Sequence, residues 1–536
     1  MDAVGRLDAA GLAVLMRQGW FSLPLRGAGT AHVATDAWSA HLCRRAGHVV
    51  TLQASRQDVI DAILGQDGKR LAHFAANRLA DRQPLRSARG LAGWWPRLWL
   101  MLALTAAMAF ALLLPEVAKL TAITLFSLLF MAVSGFKLAS LFMPGKAHMP
   151  EGPRLDDAAL PVYTVLVPLF GETRVLSQII ASLERLNYPA GKLDVKILVE
   201  ENDLPTRTMV TQLVAGAGFD IITVAVGKPQ TKPRALNLGL MFARGDLVTI
   251  YDAEDIPQPM QLRLAAQCFA AAPPEVACLQ ARLAYYNSNE NWLTRQFTIE
   301  YASLFDLLLP LLARFGLPLP LGGTSNHFRY AALRAAGGWD AWNVTEDADL
   351  GLRLARMGYR SEVLNSTTFE EANCRLGNWL HQRSRWLKGW MQTWLVIMQS
   401  PLGAWRGMGT AGFLTAQVLM AGMIGSALLH PVFLAMLLHD HVLAPTAIDG
   451  IADQVYRAAA IMVLVTGYGV AMLAGLRALH VRRMTRLMPS VLTMPAYWLL
   501  VSVGGWLALW QLVSAPFYWN KTRHGISRVF RQRSRP

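Results

Sequence analysis

Between residues 160 and 275, short apolar runs rich in β-branched residues alternate with stretches of helical periodicity. The strand-like runs lie at 162–170, 194–200, 220–226 and 246–252. The helical stretches lie near 174–187, 206–217, 233–243 and 258–272. This alternation predicts an α/β domain whose mostly parallel sheet carries helices on both faces. Polar residues that directly follow its strands should meet at one edge of the sheet.

Longer stretches without any formal charge flank this region. They lie at 98–115, 120–136, 407–438, 458–475 and 487–520. A helix needs about 20 apolar residues to cross a bilayer. The first two stretches therefore predict a transmembrane hairpin of two helices at 94–142, with a buried soluble hairpin as the alternative. The later stretches predict a second transmembrane block at 407–520.

The last uncharged stretch, 487–520, is too long for one crossing. A single helix of that length would measure about 51 Å at 1.5 Å per residue, whereas the hydrocarbon core is about 30 Å thick. The flanking segments 477–486 and 521–536 are both basic, which favours the cytoplasm, and the acidic loop 439–454 suits the outside. We expect a hairpin or re-entrant segment bent near Gly504 and Gly505. The alternative is five crossings with the tail outside.

The composition agrees with a membrane protein. The 536 residues are 53% hydrophobic and only 16% charged, which excludes a disordered chain and disfavours a wholly soluble enzyme. The net charge of +15 fits basic segments beside apolar spans better than nucleic-acid binding. The four cysteines form no CxxC pair, so zinc and thioredoxin chemistry have no support.

Three further regions complete the predicted organisation. Residues 1–90 follow the order strand, strand, helix, strand, helix and predict a small α/β docking or regulatory domain. Residues 145–406 predict a cytoplasmic domain with amphipathic interfacial helices near 300–314 and 376–398. Residues 521–536 predict a basic cytoplasmic tail.

Acidic residues follow two of the predicted strands. Asp252 ends the run 246–252, and Glu254 and Asp255 follow it. Glu200 ends the run 194–200, and Glu201 follows it. Magnesium and manganese prefer oxygen ligands and leave room for phosphate oxygens. This edge is therefore the predicted site of a divalent cation.

Four further motifs occur with these acids in a fixed order. They are Lys232-Pro233-Arg234, Gly322-Gly323-Thr324-Ser325-Asn326, Thr345-Glu346-Asp347 and Gln382-Arg383-Ser384-Arg385-Trp386. With the flanking membrane helices, this set resembles the processive membrane-bound glycosyltransferases of family 2, the group of cellulose synthase, chitin synthase and hyaluronan synthase. Residues 1–90 resemble the N-terminal domain of type II secretion ATPases, but the RLGxxLxxxG pattern that binds cyclic di-GMP in some relatives is missing.

The resemblance implies a glycosyltransferase A-type fold and assigns roles to individual residues. Glu200 and Glu201 stand where the family usually has two Asp residues at the nucleotide. Asp252 and Glu254 stand at the metal-binding DxD, with Glu in the second place, and Asp255 is a candidate to share that role. Lys232 and Arg234 would contact the nucleotide or diphosphate.

The acceptor side follows from the same resemblance. Asp347 would be the base that takes the proton from the acceptor hydroxyl, and capping of its helix is the alternative. Arg385 would grip the leaving diphosphate. The predicted acceptor-binding residues are Gly323, Thr324, Glu346, Gln382 and Trp386.

Basic and aromatic residues around these motifs have a simpler interpretation as well. Arg383, Arg385 and Lys388 would snorkel at a membrane surface, and Trp379, Trp390 and Trp394 would form a membrane belt. Lys521, in the segment 517–525, is a further candidate for the nucleotide, with lipid phosphates as its alternative partner.

The implied activity is an inverting, processive transfer from a UDP-sugar, with UDP-glucose favoured, into a β-linked polysaccharide secreted across a bacterial inner membrane. Mg2+ or Mn2+ is the implied cofactor. The expected partners are the donor, the growing polysaccharide, the bilayer and secretion or regulatory subunits, without nucleic acid. The alternatives are a single-sugar transferase to polyprenyl phosphate, and a receptor or export scaffold with a degenerate glycosyltransferase fold.

Overall fold

A computed structural model describes residues 16–24, 30–35, 37–143, 152–438, 451–519 and 521–533. Most of the acidic loop 439–454, which was predicted to lie outside, falls beyond the described residues. The end of the basic tail, 534–536, does so as well.

The chain begins with a small sheet followed by a long helix. The antiparallel strands β1 (Trp20–Pro24) and β2 (Thr30–Ala34) continue in parallel to β3 (Val50–Gln53). Helix α1 (Ala37–Arg45) connects β2 to β3, and α2 (Arg56–Arg82) follows. A reciprocal pair of hydrogen bonds between Ser55 and Asp58 caps the first turn of α2.

Helix α2 docks this unit onto the central domain. The Gln57 side-chain amide donates to the carbonyl of Ile221 and accepts from its N–H, both at 2.8 Å, so it covers the edge strand of the large sheet. The Asn237 side chain donates to the Ala75 carbonyl at 2.9 Å. The N-terminal unit therefore contacts the helix that begins at Lys232.

The central domain is an eight-stranded mixed sheet. Its strands are β4 (Tyr163–Leu169), β5 (Leu193–Glu200), β6 (Asp220–Val224), β7 (Leu247–Ile250), β8 (Ile256–Pro257), β9 (Val276–Tyr285), β10 (Asn326–Arg329) and β11 (Arg360–Glu370). Their order in the sheet is β6-β5-β4-β7-β10-β9-β11-β8. The four predicted strands form the parallel half. Strand β10 runs antiparallel to both of its neighbours, so the other half is mixed rather than parallel.

Helices cover both faces of this sheet. Those in the predicted positions are α5 (Leu176–Glu184), α6 (Leu204–Leu213), α7 (Lys232–Met241) and α8 (Gln261–Ala271). Further along the chain lie α9 (Trp292–Ser303), α10 (Leu309–Arg314), α11 (Tyr330–Ala335), α12 (Glu346–Arg356), α13 (Leu376–Met398) and the terminal α17 (Arg528–Arg533). A π-helical turn, Leu304–Leu308, joins α9 to α10.

The apolar helices form a second layer. They are α3 (Trp94–Leu113), α4 (Pro115–Ser140), α14 (Pro401–Leu438), α15 (Ile451–Val481) and α16 (Met494–Ser514). By length and composition, four stretches of the described chain are suited to crossing a membrane. These are Trp292–Arg314, Pro401–Ala435, Ile461–Val481 and Thr485–Ser514. The first of them is mostly buried inside the protein.

The predicted bend at Gly504 and Gly505 is wrong. Helix α16 continues through both residues, and a 3₁₀-helix, Thr485–Thr493, precedes it. The two glycines serve close packing instead of a turn. A Cβ on Gly504 would lie 2.8 Å from Arg383 Cγ, and one on Gly505 would lie 3.1 Å from Ala427 Cβ.

Both ends of α16 contact α13. Near its start, the Tyr497 hydroxyl accepts a hydrogen bond from the Arg383 guanidinium at 2.7 Å. Just beyond its end, the Lys388 ammonium donates to the carbonyls of Ala515 and Tyr518 at 3.1 and 2.7 Å. The chain that leaves α16 therefore returns to the central domain.

Candidate active site

Asp252 and Lys232 form the centre of the polar edge. Asp252 follows β7, and Lys232 opens α7 on the neighbouring side. The Lys232 ammonium lies 2.6 Å from one Asp252 oxygen and donates to the Gly323 carbonyl at 2.6 Å. Burial disfavours this ammonium, but the charges of Asp252 and Glu346 outweigh burial and raise the pKa of Lys232.

Glu254 and Asp255 have different surroundings, although they are adjacent. Burial, with the nearby charges of Asp252 and Glu172, raises the pKa of Glu254 well above its usual range. Asp255 is fully buried, and it accepts hydrogen bonds from the Asp252 N–H and the Thr324 hydroxyl. Asp255 thus fixes the loop, and the predicted sharing of a metal is not supported.

The carboxylates of Asp252 and Glu254 fit a divalent cation whose other ligands come from the donor. Both line the cavity, and their mutual repulsion is what a cation would relieve. Among the described residues, no group of three His, Cys, Asp or Glu side chains is gathered closely enough to hold a metal. Two carboxylates would leave coordination positions for diphosphate oxygens, as Mg2+ and Mn2+ prefer.

Glu200 is tied to Arg234. The Arg234 guanidinium donates to Glu200 at 2.5 Å, and burial raises the pKa of this carboxyl to about 6 despite that cation. Glu200 lines the cavity, whereas Arg234 is buried behind it. Glu201 is exposed and accepts a hydrogen bond from the Val226 N–H at 3.0 Å. Neither Arg234 nor Glu201 reaches the cavity wall.

Asp347 approaches the same centre from the first turn of α12. A Cβ built on Gly323 would lie 3.4 Å from Asp347 Oδ2 and 4.0 Å from both Asp252 Oδ2 and Lys232 Nζ. Gly323 therefore leaves open the space where these polar groups converge. Burial raises the pKa of Asp347. It raises that of the neighbouring Glu346 to about 7, against the lowering effect of Lys232.

The capping interpretation of Asp347 is not supported, because α12 begins at Glu346 and its N-cap residue is Thr345, which makes no side-chain cap. Within the described part of the chain, the Asp347 carboxylate accepts one hydrogen bond, from the adjacent Ala348 N–H at 2.8 Å. Its second oxygen faces Gly323. A carboxylate so placed is available to an acceptor hydroxyl.

Helix α13 brings Gln382, Arg385 and Trp386 to the cavity. Gln382 accepts a hydrogen bond from the Asn373 amide at 2.8 Å. The Arg385 guanidinium lies 5.4 Å from the centre of the Trp519 ring. The Trp386 ring is stacked on Tyr301 at a centroid distance of 6.1 Å.

Arg383 does not snorkel. Its guanidinium is buried and makes two hydrogen bonds with Glu300, at 2.7 and 2.6 Å, so it ties α13 to α9. It also lies 5.2 Å from the centre of the Trp386 ring. Trp379 is completely buried against Tyr497, which excludes it from a membrane belt.

The segment after α16 covers the part of the cavity that contains Glu172 and Glu254. Lys521 lies 3.0 Å from Glu172, and His524 Nδ1 lies 3.1 Å from Glu254 Oε1. Beyond His524, the backbone N–H groups of Ile526 and Ser527 donate to the Glu371 carboxylate at 3.0 and 2.6 Å. Glu371 directly follows β11. We call residues 517–519 and 521–527 the C-terminal strap.

One cavity of about 450 Å³ joins these parts, a volume typical of ligand sites. Twelve of the predicted site residues line it, namely Glu200, Lys232, Asp252, Glu254, Gly323, Thr324, Glu346, Asp347, Gln382, Arg385, Trp386 and Lys521. The cavity then continues between α4, α14, α15 and α16, where its walls include Phe130, Met423, His430 and Tyr468.

Several cavity residues have no counterpart among the sequence predictions. They are Glu172, Lys137, Glu300, Tyr301, Tyr497 and Glu370. Glu300 and Arg383 are 83 positions apart, so no local pattern signals their pair. For Lys137 a signal existed, because a cation near the end of an apolar helix is unusual when it faces inward.

Comparisons with known proteins identify a family and several relatives of this chain. The sequence profile of "Glycosyl transferase family group 2" matches residues 247–517. The chain is 28% identical over 288 residues to a beta-monoglucosyldiacylglycerol synthase from Synechocystis sp., which covers 51% of the chain and 59% of that protein. It is 29% identical over 213 residues to glucomannan 4-beta-mannosyltransferase 2 from Arabidopsis thaliana, covering 38% of the chain and 40% of that protein.

The chain spans about half the length of the curated relatives it matches. Among solved structures, it is similar to mannosyltransferase PcManGT from Pyrobaculum calidifontis, solved in complex with GDP-Man and Mn2+. The sequences are 19% identical, and the TM-score is 0.46 over 76% of this chain and 99% of the other.

Proposed function

Because the chain belongs to glycosyl transferase family group 2, we propose that it is a membrane hexosyltransferase that builds a β-linked polysaccharide from a UDP-sugar, with UDP-glucose favoured. The observation that carries this proposal is the continuous cavity. It runs from the carboxylates at the sheet edge past Asp347 and Trp386 and into the layer of apolar helices. Donor, acceptor and an exit path thus share one space.

The proposed reaction inverts the anomeric centre. Asp347 takes the proton of the acceptor hydroxyl while that oxygen forms a bond to the anomeric carbon. The bond from this carbon to the diphosphate breaks on the opposite face, and the nucleoside diphosphate leaves with the electron pair. Lys232 and Arg385 contribute positive charge beside the leaving group. Trp386 offers a flat ring for the terminal sugar of the acceptor.

Asp252 and Glu254 would hold the divalent cation. When bound, Mg2+ or Mn2+ neutralises the diphosphate and so makes it a better leaving group. Glu200 and, through it, Arg234 shape the nucleotide side. Glu201 is exposed and does not line the cavity, so we do not assign it a contact with the nucleotide.

We also propose a membrane topology, based on the contacts of α16 and the positions of the basic segments. Helices α3, α4, α14 and α15 would cross the bacterial inner membrane, with both chain ends and the central domain in the cytoplasm. Helix α16 would lie along the cytoplasmic surface, because both of its ends contact α13. This arrangement keeps the basic loop 477–486 and the C-terminal strap on one side of the membrane, as the positive-inside rule favours.

The N-terminal unit, residues 1–90, would act as a docking or regulatory module. Its resemblance to the N-terminal domain of type II secretion ATPases and its contact with α7 support this proposal. Helix α7 carries Lys232, so a partner bound to the unit would sit one helix away from the donor.

A second candidate is the transfer of a single sugar to a lipid such as polyprenyl phosphate. The observation that favours it is the apolar lining of the cavity between the apolar helices, which includes Phe130, Leu308 and Met423. The third candidate, a scaffold without activity, has the least support. The residues to which we assign metal binding, proton transfer and leaving-group contact, Asp252, Glu254, Asp347 and Arg385, all line one cavity.

Turnover of purified protein in detergent tests these proposals. Radiolabelled UDP- and GDP-sugars are supplied with Mn2+ or Mg2+, and wild type is compared with Asp347→Asn. Asp349→Asn is the matched control, because Asp349 sits in the same helix but bonds Arg353 outside the cavity. Loss of a general base should lower kcat by about 10²- to 10⁴-fold in the first variant alone.

The product separates the candidates. A high-molecular-weight product from one donor supports the polymerase, whereas label in a lipid extract supports the single-sugar transferase. Equal activity of wild type and Asp347→Asn would refute the assigned base. Donor binding without turnover for any donor and acceptor would favour the scaffold.

A further inference from the structure

Lys137 is a cation on the wall of the cavity, within the apolar layer. It lies near the cytoplasmic end of α4, three residues before that helix ends. Ser134 and Ser140 are three positions away on either side, and all three residues line the cavity. Residues three apart share one face of a helix. Helix α4 therefore presents a polar stripe to the cavity.

The Lys137 ammonium has no acidic partner within 4.0 Å in the described part of the chain. Glu300 is the carboxylate whose charge acts on it. Both Glu300 oxygens are already engaged, since they accept hydrogen bonds from Arg383 and from the Tyr497 hydroxyl at 2.6–2.7 Å. Arg383 compensates Glu300, so Lys137 leaves this part of the cavity with an excess positive charge.

An excess cation facing a mostly apolar cavity is costly unless an anion accompanies it. Deeper along α4, seven residues or about 10 Å from Lys137, the wall is formed by Phe130. Met423 of α14 and Ala471 of α15 also line the cavity. A polar, positively charged mouth with an apolar slot behind it matches an amphiphile that carries a negative head group.

The Ser140 hydroxyl is engaged, since it donates to the Lys137 carbonyl at 2.7 Å. We propose that Lys137, with Ser134, binds the phosphate group of a lipid acceptor whose acyl chain lies between α4, α14 and α15. This inference rests on the proposed glycosyl transfer and names its acceptor class. The phosphate is held at Lys137, and the sugar or hydroxyl end of the lipid extends toward Trp386 and Asp347. A growing chain would then start on a phosphate-bearing lipid.

The ordinary explanation of Lys137 is an anchor for the head groups of the surrounding bilayer. Arg406 provides the matched control for that explanation. It is an exposed cation near the start of α14, and it does not line the cavity. A bilayer anchor predicts that both cations behave alike, whereas the proposed site predicts that only Lys137 matters.

The test measures binding, so it does not depend on turnover. Radiolabelled lysophosphatidic acid, a phosphate monoester with one acyl chain, is titrated onto the full-length protein in neutral detergent. Monoacylglycerol, which lacks the phosphate, and inorganic phosphate, which lacks the chain, serve as competitors. The variants are Lys137→Ala, Lys137→Arg and Arg406→Ala, each checked for an unchanged melting temperature.

We expect Lys137→Ala to weaken binding of lysophosphatidic acid at least tenfold, while Lys137→Arg and Arg406→Ala stay within threefold of wild type. Monoacylglycerol should compete at least tenfold less well than the unlabelled phospholipid, and inorganic phosphate should not compete at equal concentration. Equal binding by wild type and Lys137→Ala would overturn the proposal. Displacement by inorganic phosphate alone would overturn the lipid part, because the site would then take a free anion. If Lys137→Ala melts lower, Lys137→Gln replaces it under the same criteria.

Donor turnover is measured on the same preparations. If wild type binds the phospholipid through Lys137 but consumes no donor, the lipid site stands and the proposed function fails. If donor is consumed but phospholipid binding is the same in wild type and Lys137→Ala, the proposed function stands and the lipid site fails.

Discussion

The Lys521 ammonium lies 3.0 Å from a carboxylate oxygen of Glu172, so the C-terminal strap reaches the donor side of the cavity. Lys521 is also 5.5 Å from the centre of the Phe170 ring, directly after β4. The strap is held at its far end by Glu371. A bound diphosphate would offer Lys521 a stronger partner than Glu172 does.

Replacing Lys521 by Ala should raise the donor KM about tenfold and change kcat less, because a charge-assisted hydrogen bond contributes about 1.5–3 kcal/mol. Initial rates against donor concentration measure this effect. Arg523→Ala is the control, since Arg523 belongs to the same strap but its side chain is exposed. Equal changes in both variants would assign Lys521 to the membrane surface instead.

The two carboxylates of the edge predict a specific dependence on metal. Glu254→Gln should increase the Mn2+ concentration for half-maximal activity at least tenfold, because it removes one of two anionic ligands. Glu254→Asp keeps a carboxylate and should stay within about threefold. Glu201→Gln is expected to leave the dependence unchanged, since Glu201 is exposed outside the cavity. The metal assignment would be contradicted if a chelator left the activity unchanged and if adding Mn2+ or Mg2+ did not increase it.

The buried base predicts how activity depends on pH. Burial raises the pKa of Asp347, and Lys232 partly lowers it again. The base works as a carboxylate, so kcat/KM should fall as the pH decreases through this raised pKa, at a higher pH than for an ordinary Asp. Lys232→Gln removes the cation, so it should raise the pKa further and move this acid limb to higher pH.

Profiles of kcat/KM against pH for both proteins check the direction of the shift. The control is Lys69→Gln, which removes an exposed cation of α2 far from the cavity. An acid limb that stays in place in Lys232→Gln, or moves to lower pH, would show that another group controls it.

The parallel half of the sheet was predictable because its strands are short runs rich in apolar and β-branched residues, as in β4 and β5. The mixed half was not, since β10 has only four residues and β11 contains many polar ones. Their pairing is decided by partners distant in the chain rather than by local pattern.

The position of the acidic residues at one edge of the sheet was predictable for a related reason. Asp252 and Glu254 directly follow a strand, and the ends of parallel strands meet at one edge. The pair of Arg383 and Glu300 was not, because its members come from separate helices and a basic residue on an apolar helix fits a membrane surface equally well. The cavity position of Lys137 was not predictable either, because it depends on how α4 packs.

Gly504 and Gly505, where a bend was wrongly predicted, lead to a last prediction, which concerns stability. Gly504 lets α16 approach α13 at Arg383, so Gly504→Ala forces its new methyl group to within 2.8 Å of Arg383 Cγ. Arg383 is buried and fixed by two hydrogen bonds to Glu300, so it has little freedom to move aside. We expect the melting temperature in detergent to fall. Gly469→Ala on α15 meets no atom within 4 Å and should hold or raise it, because Ala favours a helix over Gly by about 1 kcal/mol. Equal melting temperatures for the two variants would mean that the contact between α16 and α13 adapts, and the glycines would then be explained by neither a bend nor close packing.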